Sequence, residues 1–163
     1  MKKGTTIMVI VLSILLVGLY TVASTYSVIV DVIENNGIME IVNKVTIRDL
    51  LTDDNGSYNQ LYYDLKNELN ATSQEANILM DSVPINDSFK IVLESIVEYK
   101  VNDNISAKLS NDELYGLITD SVLKTDNISD ELKSRIINKA SIYRDDISDY
   151  VYDIEVSMLG EQL

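Results

Sequence analysis

A chain of 163 residues with a net charge of −13 has room for one membrane-spanning segment and one domain that buries a sizeable core. Lys2 and Lys3 are the only charged side chains before Asp31, so removing their two positive charges leaves −15 on residues 31–163, a surface that repels nucleic acid and anionic lipid headgroups. Cysteine and histidine are both absent, which excludes disulfides, thiolate and imidazole metal sites, cysteine nucleophiles and Ser–His triads, and no cofactor is expected.

Residues 1–6 form a short tail. Residues 7–30 are an uncharged run, IMVIVLSILLVGLYTVASTYSVIV. As a helix this run measures about 36 Å, enough to cross a hydrocarbon core of about 30 Å with some tilt. Its hydroxyl side chains can bond back to the helix, and Tyr20 and Tyr26 lie toward one interface. The lysines before the run stay cytoplasmic, so the expectation is a single-pass signal anchor with an extracytoplasmic domain after it. The short lysine start and the Asn/Ile/Asp-rich, cysteine-free composition point to a bacterial cell membrane. The rival reading is a signal peptide cleaved after Val22-Ala23-Ser24, giving a secreted protein, but the apolar run continues through Val28, Ile29 and Val30. Ala23 and Ser27 form a small-xxx-small pair that would let two such helices approach as a homodimer.

In residues 31–52, Asn35-Asn36-Gly37 is a break, after which Ile38, Ile41, Val42, Val45 and Leu50 recur at helical spacing and predict a juxtamembrane helix. Residues 53–163 are read as an acidic helical domain. Asp53-Asp54-Asn55-Gly56 is a turn, and Ser57 with Gln60 matches a capping box before Leu61, Tyr62, Leu65 and Leu69. Thr72 with Glu75 is a second box, before Ile78, Leu79 and Val83, with Pro84 ending that helix. Asn86 or Asp87 is the expected cap of the next helix, which carries Phe89, Val92, Leu93, Ile96 and Val97. Ser110 with Glu113 is a third box, before Leu114, Leu117, Ile118 and Val122. Ser129 opens the longest pattern, in which Leu132, Ile136, Ala140, Tyr143, Ile147, Tyr150, Ile154 and Met158 recur over about seven turns.

The fold expected is therefore all-α: an N-terminal transmembrane helix followed by an extracytoplasmic bundle of about five or six helices.

Motifs that could carry chemistry fall short of their patterns. In neither register do Asp53 to Gly56 fit a calcium loop: starting at Asp53 puts Tyr58 where the glycine belongs and Asp64 at the closing position, and aligning Gly56 puts Leu51 first. Ser121-Val-Leu-Lys124 matches S-x-x-K, but inside a predicted helix and without the partner motifs. Five Asn-x-Ser/Thr triplets, at Asn55, Asn70, Asn86, Asn104 and Asn127, follow from a chain rich in asparagine and serine. No catalytic, cofactor-binding or metal-binding residue is assigned.

The residues selected as a partner surface are Asp145, Asp149 and Asp153, one turn apart, with Tyr150 beside them. Like charges at that spacing do not stabilise a helix, so a basic partner, collected divalent cations or a solvated face explains them. The reading is a membrane-anchored helical interaction module, not an enzyme, with a protein partner. The alternative is an envelope enzyme that uses carboxylates or the Ser121–Lys124 pair.

Overall fold

The computed structural model describes residues 46–102 and 104–152. These residues are mostly helical, and no strand occurs among them. The uncharged run 7–30, most of the juxtamembrane segment and Asp153 lie outside the described residues. Among the described residues no helix is long and apolar enough to cross a membrane.

Local hydrogen bonding decides where each helix begins. Thr46 and Asp49 form a reciprocal capping box that opens α1 (Ile47–Leu51). The cap expected for α2 (Gln60–Glu68) is displaced by two residues. Asp53 Oδ1 accepts the Ser57 N–H at 2.9 Å and draws Ser57 into the preceding turn. Asn59 caps instead, accepting the Tyr62 N–H, while the Gln60 amide turns forward to Asp64. Gly56 closes that turn at φ +76°, a conformation that costs glycine nothing.

The Thr72–Glu75 box opens α3 (Ser73–Asp81) as expected. Pro84 does not end it. The proline lies in the first turn of α4 (Val83–Asn102), where its missing N–H has no intrahelical partner to lose. Ser82 Oγ accepts the Ile85 N–H at this junction. Asn86, expected as a cap, is inside α4. Its amide donates to Met80 O and Ser82 O, and its oxygen accepts the Ile47 N–H at 2.8 Å, tying α1 to the α3–α4 corner.

A 3₁₀ turn (Ile105–Ala107) leads to α5 (Asn111–Lys124), opened by the Ser110–Glu113 box, and Ser129 caps α6 (Asp130–Ile142). The seven-turn helix expected from Ser129 onward is broken. Residues 143–146 form a turn, and helix resumes over residues 147–152, here α7. Asn111, at the start of α5, donates to Asp145 O and accepts the Ser148 N–H at 2.7 Å, so the break is held from another helix.

Two of the Asn-x-Ser/Thr triplets are helix-to-helix turns. Asn70 and Asn127 have φ of +48° and +62°, and each stands two residues before an N-cap, Thr72 or Ser129. Asparagine enters the left-handed region more readily than other residues with a Cβ.

Helix α4 packs on α5, which packs on α6, while α1, α2 and α3 pack on one another and α3 packs on α4. Phe89, Val92 and Ile96 of α4 meet Leu114 of α5 and Leu132 of α6 in a fully buried core. Polar bonds fasten α6 to the end of α2, with Arg135 donating to Leu69 O and Lys139 standing 3.2 Å from Glu68.

Candidate interaction surfaces

Of the residues expected on the partner surface, Asp145, Asp149 and Tyr150 are described. Asp145 lies in the turn, whereas Asp149 and Tyr150 lie on α7, so the acidic residues do not form one stripe on an uninterrupted helix. Asp145 is exposed. Asp149 is exposed as well, with its carboxylate 3.2 Å from Lys108 Nζ. Tyr150 is half-buried against the core. Next to this turn Arg144 binds Asp112 at 2.8 Å and lies over the Tyr115 ring, and the Asp112 hydrogen bond raises the guanidinium's pKa.

Tyr152 anchors α7. Ser95 Oγ donates to Val92 O, which leaves Tyr152 O–H to donate to Ser95 Oγ at 2.8 Å. The same phenol oxygen accepts the Leu109 N–H at 2.9 Å. Its ring meets Tyr99 edge-on and carries Lys108 Nζ 5.3 Å from its centroid. These bonds join α7 to α4 and to the segment before α5. Neither Ser95 nor Tyr152 carried a motif to mark it; only the apolar spacing of α4 placed Ser95 close to a buried stripe.

The other sequence candidates are accounted for locally. Ser121 is buried, and its hydroxyl donates to Ile118 O, one turn back on the same helix. Lys124 is exposed and stands 4.0 Å from Asp120. Asp53 accepts the N–H groups of Asn55 and Ser57 in the turn before α2. Among the described residues no group of three acidic side chains converges as a metal site.

One surface had no signature in the sequence. An open groove of about 730 Å³ lies between α3, the start of α4 and the end of α5. Next to it, Ser82 and Thr125 are both buried and their hydroxyls are 2.7 Å apart; Thr125 also donates to Ser121 O, so the Ser82 O–H donates to Thr125. This pair joins the α3–α4 corner to the end of α5.

On the α3 side, Asn77 accepts the Tyr58 O–H at 2.7 Å, and Asp81 receives two guanidinium bonds from Arg48, at 2.7 and 2.6 Å. The hydrogen bond from Arg48 lowers the Asp81 pKa. Tyr58 is itself stacked on buried Tyr62, with ring centroids 3.9 Å apart. Opposite stand Val83, Pro84, Lys124 and Asp126, and Val83 is 68% exposed. Residues from 74 to 126 meet here, so no local pattern could have announced the groove.

No family model matches the chain, and comparisons with curated proteins and with solved structures return no match.

Proposed function

We propose that this chain is a membrane-anchored helical interaction module on the outer face of a bacterial membrane, with residues 7–30 as its anchor. The helical domain is the part that engages a neutral or basic protein. The supporting observation is the way charge is committed. Arg48, Lys90, Lys108, Lys124, Arg135, Lys139 and Arg144 each stand within 4.0 Å of a carboxylate of the same chain. Among the described residues, Asp54, Asp126, Asp145 and Asp146 have no cation at that distance. With these cations engaged internally, Lys66 and Lys133 being lysines outside any ion pair among the described residues, the carboxylates left outward give a field that attracts basic surfaces and repels acidic ones.

An enzyme reading has less support. The Ser121 hydroxyl is engaged by its own helix, and the Lys124 ammonium is directed to Asp120. General-base activation of the serine needs the two groups in contact.

The test is crosslinking in cells of the full-length tagged protein, followed by identification of what co-purifies from the membrane fraction. One envelope protein recovered reproducibly, and lost when carboxylates are neutralised, is the expected result. Recovery of the chain alone, or its appearance in the medium, would overturn the reading.

A further inference from the structure

We propose that the groove between α3, α4 and the end of α5 docks an extended segment of a partner protein, which places an apolar side chain on Val83 and Ile78 and a neighbouring lysine or arginine against Asp126. This deepens the interaction-module reading and rests on it.

The groove has the size of a ligand site, which runs from roughly 300 to 1,000 Å³. Its lining is mixed in the way a peptide requires. Val83 and Ile78 offer apolar surface, and Gln74 has no hydrogen bond to the described residues. A side-chain amide can donate to and accept from a peptide backbone. Val83 is unusual in its place. The first turn of a helix favours polar and acidic residues, yet α4 presents a branched apolar side chain there, 68% exposed, beside Pro84. An exposed apolar residue at the edge of a concave, partly polar surface has the composition of an interface.

Charge selects among occupants. Asp81 is satisfied by Arg48 and Lys124 stands near Asp120, so Asp126 is the carboxylate of the lining left without a cation among the described residues. Pro84 removes one backbone donor from the start of α4, which weakens that helix end as an anion cradle. A second copy of the chain carries the same net charge of −13 and is repelled. The chain's own residues 153–163 hold Asp153, Glu155 and Glu161 and no lysine or arginine, so they fit no better. A basic–apolar segment from another protein is an occupant whose cation agrees with Asp126 and whose apolar side chain agrees with Val83 and Ile78.

The test uses the full-length chain in detergent and a library of labelled synthetic decapeptides. Apolar residues alternate with one variable position, lysine in one set and glutamate in the other, and binding is read by fluorescence anisotropy. Lysine peptides are expected to bind at least about tenfold tighter than their glutamate counterparts, with the difference shrinking in high salt. Asp126→Lys reverses the order of the two sets, and Val83→Ser weakens binding of the lysine set. Both positions are exposed, so circular dichroism melting should be unchanged and serves as the folding control. Equal binding of the two sets, no binding of any lysine peptide, or indifference to both substitutions overturns the proposal.

The same variants are then carried into the cellular crosslinking. A partner retained by Val83→Ser and Asp126→Lys but lost on Asp145→Asn with Asp149→Asn overturns the groove and leaves the interaction module standing. No partner recovered from the wild-type chain overturns both.

Discussion

Glu75 caps two helices, its own and the one that Ser129 opens. One carboxylate oxygen accepts the Thr72 N–H at 3.0 Å and the Thr72 hydroxyl at 3.1 Å, completing the box that starts α3. The other accepts the Ser129 hydroxyl at 2.8 Å, while Ser129 Oγ in turn receives the Leu132 N–H at the start of α6. One ionised side chain thus joins helix starts that lie 54 residues apart in the chain.

This relationship makes stability depend on acid. The backbone hydrogen bond from Thr72, and after it the hydroxyl bond from Ser129, lower the Glu75 pKa from 4.5 to about 2. A carboxylate with a depressed folded-state pKa contributes stability that is fully present above its unfolded pKa and is lost as pH falls through the folded one. The loss attributable to Glu75 therefore runs from about pH 4.5 down to about pH 2. Glu75→Gln should cost about 1–2 kcal/mol at neutral pH, since the amide cannot accept at both ends. Denaturant melts of wild type and variant at pH 7 and pH 3 check this, and the gap between them should narrow at the lower pH.

Tyr152→Phe keeps the ring and removes one oxygen. That oxygen accepts the Leu109 N–H and donates to Ser95, so the variant leaves a part-buried backbone donor without its partner. The expected loss is about 1–3 kcal/mol. A double-mutant cycle with Ser95→Ala should show coupling, because both residues serve one bond. Additive losses would mean that the bond contributes little.

Asn111→Ala tests whether the break after α6 is imposed from outside. The Asn111 amide holds Asp145 O and the Ser148 N–H, so its loss should release the turn at residues 143–146 and the start of α7. Hydrogen exchange is expected to rise at Ser148 and its neighbours, with a stability cost of about 1–2 kcal/mol. Unchanged protection there would place the cause of the break within residues 143–146 themselves.

Asn127 should accept glycine and resist valine. Its φ of +62° lies where a β-branched side chain meets its own backbone, at a cost of roughly 1–2 kcal/mol. Asn127→Gly should melt close to wild type, and Asn127→Val well below it. Equal melting of the two would show that the turn relaxes to another conformation.

Several features of this domain can be read from neighbours in the chain. The boxes at Thr72 and Ser110 and the cap at Ser129 depend on residues three apart, and the core positions Leu114, Val122, Leu132 and Ile136 follow helical spacing. Asp145, Asp149 and Tyr150 were legible as an acidic, aromatic segment for the same reason. Their arrangement was not. The periodicity runs unbroken through Tyr143, Ile147 and Tyr150, and the turn that separates Asp145 from Asp149 is held by Asn111, from 34 residues earlier. Ser57 failed as a cap because Asp53 captured its N–H first, and Pro84 began a helix because Ser82 and Asn86 had already satisfied the corner. The groove, the shared cap at Glu75 and the Tyr152 anchor all join residues far apart in the chain. Short-range hydrogen bonds and side-chain spacing are written in adjacent letters, whereas contacts between distant segments exist only once the core of α4, α5 and α6 has brought them together.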